Sequence, residues 1–114
     1  MAKDDYHVIV YKILSYLYRQ LKKGEPVDPG MIDNKSRICP VNPEYWKFII
    51  VSMLEEGLVR GFEADGREDA DALRERLGQL RITPKGIDLL HDNSMHDKVN
   101  NLIKSGAKQL LKAP

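Results

Sequence analysis

The sequence is short of most features that declare a chemistry. It holds one cysteine, Cys39, among 114 residues. A lone thiol excludes an intramolecular disulfide framework and fits a reducing, cytoplasmic setting. No run approaches the roughly 18 apolar residues of a membrane span, and no basic-then-apolar leader opens the chain. A cytoplasmic location with no membrane partner is therefore expected. Charge of one sign is missing too: 18 Lys and Arg against 17 Asp and Glu leave a net charge of +1. Such a chain has no global field to hold a polyanion, so nucleic acid would have to be met by a local patch.

Catalytic and metal-binding constellations are equally scarce. A zinc site takes three or four closely spaced ligands. Here His91 and His96 are separated by an Asn93-Ser94 break, and His7 and Cys39 lie far off in sequence. Cys39 sits beside Pro40 with no histidine near it to activate the thiol. Gly57 and Gly61 punctuate helix and strand and Gly86 sits inside a short helix, so no glycine loop cradles a phosphate. The expectation is no enzyme, no metal and no cofactor.

What is present is helical periodicity. Apolar residues at 42% and charged residues at 31% suit one globular domain over residues 1–114. The spacing predicts a first helix from Asp5 to Lys23, with Tyr6, Ile9, Val10, Ile13, Leu14, Leu17 and Leu21 on its buried stripe. Val8, Tyr11, Ser15, Tyr18, Arg19 and Lys22 form its other side, where Tyr11 and Tyr18 read either as the rim of the core or as an interface. Prolines break the stretch from Glu25 to Pro43 and leave room for a short helix around Pro29 to Asn34. Asn42 as N-cap, Pro43 at the first helical position and Glu44 at the positive end start a third helix that stops at Gly57. Short strands are expected at Leu58–Glu63 and Gly78–Thr83, forming a wing over residues 58–83. Asp69 to Leu77 suits a helical turn and equally a mobile loop. A fourth helix follows from Pro84 to His91, capped by Thr83, and a last one over residues 94–112, capped by Ser94. The fold class is thus α+β: a winged helix-turn-helix with a three-helix core, a two-stranded wing and two C-terminal helices.

Three stretches, AKDDYHVIVYKILSYLY, NPEYWKFIIVSMLEEGLVRG and RITPKGIDLLHDNS, together covering most of the chain, resemble the YjcQ family of small winged-helix proteins of bacteria and their phages. Residues 64–78 match it least. The resemblance implies the winged-helix fold and a mobile-element origin, and it carries over no catalytic or ligand-binding residue.

Two kinds of partner remain to be weighed. The third helix stands where a winged helix reads DNA, but Glu44, Lys47, Phe48, Val51, Ser52 and Glu55 face away from its apolar stripe. Base edges are read mostly by Arg, Lys, Asn and Gln, and this side has one lysine, two acids and two apolar groups. From Glu63 to Arg76 the wing holds six acids against three arginines, and carboxylates oppose phosphates. Protein contact is therefore the favoured reading, through Phe48, Val51 and Glu55, with Tyr11 and Tyr18 as a second surface; the competing reading of Phe48 and Val51 is that the wing folds back and covers them. Val99, Ile103 and Leu110 repeat near the spacing of a helix–helix seam, which either docks on its own domain or pairs two copies in a homodimer. The partner is then the chain itself or another protein, including a host protein met by a phage-derived inhibitor. The alternative is a double-stranded DNA-binding regulator using Lys35, Arg37, Lys47, Lys104 and Lys108 on phosphates.

Overall fold

The computed structural model describes residues 5–92. Among these residues there are four helices and one two-stranded antiparallel sheet, an α+β arrangement compatible with a winged helix. No described helix is long and apolar enough to cross a membrane. The segment expected as the last helix, 94–112, lies outside the described residues.

Helix α1, Asp5–Lys23, has the bounds its periodicity predicts. Strand β2 (Arg81–Ile82) and helices α2 (Pro43–Glu55) and α4 (Pro84–Leu90) all pack against it. Because three elements surround α1, burial spreads beyond one stripe. Val8 and Tyr16 are buried although the pattern left them off the apolar stripe, while Leu21 near the end of the helix is half exposed.

The connection after α1 is held by side chains. The Asp28 amide donates to Tyr16 Oη at 2.9 Å, and Gln20 Nε2 donates to the Pro26 carbonyl at 2.8 Å. The short helix expected over 29–34 shrinks to one 3-10 turn, Pro29–Met31, capped by the Asp28 carboxylate. Its continuation is taken by local bonds: the Lys35 amide donates to Asp33 Oδ1, and Ser36 Oγ donates to the Asp33 carbonyl. Such bonds offer the backbone an alternative to helix. Ile32 and Cys39, both fully buried, pin this segment to the core.

In α2 the expected start is present: Asn42 Oδ1 accepts from the Tyr45 amide at 2.8 Å, with Pro43 at the first helical position. Trp46, Ile49, Ile50, Val51 and Met53 are buried. The strands are much shorter than predicted, with only Val59–Arg60 (β1) paired to Arg81–Ile82. The ladder stops at Gly61, whose φ of +141° and close approach to the Gln79 carbonyl no side chain tolerates. Between the strands lies α3, Ala70–Arg76, capped by Asp69 and prolonged by a 3-10 turn, Leu77–Gln79. Of the two readings of this stretch, helix is the one found. Its Leu73 and the following Leu77 are fully buried, and α3 packs against α2.

Thr83 joins the two halves. Its hydroxyl donates to the Gly57 carbonyl at 2.5 Å and accepts from the Gly86 amide at 3.0 Å, so one side chain closes the end of α2 and caps α4. A Cβ at Gly86 would meet the Leu58 carbonyl oxygen at 2.3 Å and Ile82 at 2.8 Å. Overpacking of this kind costs about 1–3 kcal/mol, and here the obstacle is backbone. Gly86→Ala is expected at or above the top of that range, read as a lower urea midpoint, whereas Gly78→Ala, where a Cβ would meet nothing nearer than Pro29 at 4.0 Å, should cost less.

Candidate functional site

The site grows from the rotation of α2. Trp46 points inward, and its Nε1 donates to the Ile32 carbonyl at 2.9 Å. Two residues on, about 200° around the helix, Phe48 points outward and is 59% exposed. Tyr45 stacks beside it with ring centres 6.4 Å apart, and Tyr6 from the first turn of α1 lies 6.0 Å away at a tilt. The α1–α2 contact thus assembles an aromatic patch from two helices. Burial, and then the carboxylate of Glu56, hold the Tyr6 phenol above its ordinary pKa.

Carboxylates ring this patch. One groove, of about 330 Å³, runs between α2 and the turn of the wing and is lined by Glu44, Lys47, Phe48, Val51, Ser52, Glu55, Asp65 and Gly66. A second, of about 440 Å³, shares Glu55 and Asp65 and adds Leu54, Phe62, Glu63, Ala64 and Glu68. The two grooves carry five carboxylates and a single lysine. That lysine, Lys47, is held by Glu44 at 3.4 Å.

The turn that walls both grooves builds itself. Glu68 accepts from the amides of Asp65 and Gly66 at 3.2 and 3.1 Å. Asp65 accepts from the Arg67 amide and side chain, contacts that hold its carboxyl below the usual range. Behind the turn, Arg74 donates to Asn34 Oδ1 through both Nε and Nη2, and its guanidinium lies 5.6 Å from the centre of Trp46. This clamp seats α3 against the body.

The residues singled out by pattern divide accordingly. Phe48 and Glu55 are exposed together on the outer side of α2. Val51 requires correction: expected on the solvent side, it is 6% exposed and belongs to the core cluster. The reason is that α3, between the two strands, packs on α2, so the competing reading holds at Val51 and not at Phe48. Tyr11 and Tyr18 are half-buried against the core. Lys22 lies 4.5 Å over the Tyr18 ring, and His91 meets the same ring edge-on at 5.8 Å. Lys35 and Arg37 are exposed on the loop before α2, whereas the Lys47 side chain is 16% exposed and tied to Glu44. Val99, Ile103, Leu110, Lys104 and Lys108 lie outside the described residues.

Sequence reasoning missed two features. Tyr6 was assigned to the buried stripe of α1, and nothing local signals that it completes a patch with Phe48. Arg60 and Arg81 face each other across the strand pair, both exposed. Directly opposed like charges weaken a ladder, but the opposition exists only in the register, which spacing alone did not supply. Among the described residues no group of three or more His, Cys, Asp or Glu is placed to hold a metal ion.

The model of the YjcQ protein family matches residues 11–108. The chain belongs to the YjcQ family. No curated protein and no solved structure matches it. The matched span covers α1 from Tyr11 onward, the patch residues of α2 and both strands with α3 between them, while Tyr6 falls just outside it.

Cys39 is fully buried, and burial with the nearby Asp33 charge pushes its thiol up to about 12 from an ordinary 9.0. The unfolded chain therefore releases this proton at lower pH than the folded one. Its contribution to stability is complete below pH 9.0 and is lost as pH rises toward about 12. Denaturation midpoints should fall through that window, and less steeply in Cys39→Ala. A thiol reagent at pH 8 should label the native protein far more slowly than the chain in urea; equal rates would show the thiol to be accessible.

Proposed function

We propose that this chain is a non-enzymatic winged-helix binding module that works through protein contacts made by the outer side of α2. The observation that carries the reading is Phe48, 59% exposed between two tyrosine rings on a face rimmed by carboxylates. Burying such a side chain is worth roughly 1.5–3 kcal/mol, so a partner that covers it gains what water cannot give. In a winged helix this face would meet DNA, and here Glu44, Glu55, Glu63, Asp65 and Glu68 would all oppose phosphates. Self-association, in this reading, belongs to the stripe of Val99, Ile103 and Leu110, and a mobile-element origin accords with a small module of this kind.

One observation favours the second reading, a double-stranded DNA-binding regulator. Arg60 and Arg81 are opposed on the exposed side of the strand pair, and Lys35 and Arg37 add exposed charge before α2. Phosphates would relieve the opposition.

Sedimentation of the full chain with and without duplex DNA, at two salt concentrations, separates the two. The expected result is no co-sedimentation with duplex at low ionic strength and a self-association that persists in Phe48→Glu. Retention on duplex that falls steeply with salt, and is abolished by Arg60→Glu with Arg81→Glu, would transfer the assignment to the second reading.

A further inference from the structure

The chemistry of the partner can be taken further, resting on the reading of the α2 face as a protein-docking surface. Three rings of this chain already carry one of its own cations. Lys22 lies 4.5 Å over Tyr18, Arg74 5.6 Å from Trp46 and Arg76 6.0 Å from Phe62. Phe48 is the exposed aromatic among the described residues, and no described cation lies over it. We propose that its occupant is an arginine-bearing apolar segment of another protein, laid along α2 with a guanidinium over the Phe48 ring.

The surroundings suit that group. A guanidinium is weakly hydrated, stacks flat on a ring and pairs with carboxylates through a planar fork. Glu44 lies one helical turn before Phe48, and Glu55 about two turns after it. Among the described residues the Glu55 and Glu63 carboxylates have no partner, so basic groups flanking the guanidinium find acceptors along both grooves. Apolar side chains of the same segment fit beside Phe48 and Leu54, which line those grooves.

Three competing occupants fit less well. A second copy joined face to face would set the same excess of carboxylates on both sides, and like potentials across an interface oppose association. Duplex DNA meets the same carboxylates with its phosphates. The chain's own segment 93–114 contains no arginine. At helical spacing its Lys98, Lys104, Lys108 and Lys112 fall opposite Val99, Ile103 and Leu110. With that stripe laid on Phe48, the lysines would point away from the acids.

The test selects a displayed library of random short peptides on the immobilised full chain, and in parallel on Phe48→Ala and Glu55→Lys. Recovered peptides are then titrated by fluorescence anisotropy beside versions with citrulline in place of arginine. Because Phe48 and Glu55 are exposed, both variants should keep the wild-type circular dichroism. The expected outcome is enrichment of arginine next to apolar residues on the wild type. Binding should weaken by about tenfold or more in either variant and on citrulline replacement. Enrichment of peptides that depend on Phe48 but carry no basic residue would overturn the cationic partner and leave the docking face standing. A dimer in sedimentation that dissociates in Phe48→Ala would overturn it in favour of a second copy. If no Phe48-dependent peptide emerges, the docking face and its partner fall together.

Discussion

The indole of Trp46 is the contact on which the rest of this structure depends. Its nitrogen holds the Ile32 carbonyl, which arrests the irregular loop between α1 and α2. Its ring receives Arg74, and Arg74 in turn grips Asn34 from that same loop. One side chain therefore ties together the loop, the helix that follows it and α3, which lies beyond both. With Trp46 fixed inward, the helical rotation leaves Phe48 no choice but to face out. The candidate surface is a geometric consequence of how the core is anchored.

That dependence also explains which features were legible in the sequence. The bounds of α1 and the start of α2 were readable because the signals are local, namely an apolar repeat and Asn42-Pro43-Glu44. Thr83 announced α4 for the same reason, although its second bond, to Gly57, is long-range and carried no signal. Two expectations failed, one on local and one on tertiary grounds. The helix at 29–34 lost to Asp33 and Ser36, which bond to nearby backbone, and Val51 is buried where the segment between the strands packs on α2, the competing reading of that face. Of the surface itself, Phe48 and Glu55 were visible on the wheel of α2. Tyr6 joined them only through the packing of α1 on α2.

The acidity of the surface has a structural origin as well as a compositional one. Acids placed at Asp28, Asp33, Glu44, Glu68 and Asp69 are where turns and helix starts need acceptors or negative charge. Some carboxylates that discourage phosphate are thus present for local folding reasons. Glu55 and Glu63 are different, because no described backbone or side-chain group uses them. A specific interaction has to be sought among such idle groups.

The turn from Glu63 to Asp69 is stitched by its own members, with Glu68 holding two amides and Asp65 holding Arg67. Its attachment to the body comes from α3 behind it, through Leu73 and Arg74. The hydrogen bonds of the groove wall therefore close largely within it, while Phe62 and Ala64 pack its edge onto the core. If the proposed docking face holds, exchanging that short loop would reshape the groove wall and leave the packing of α1 on α2, β2 and α4 in place.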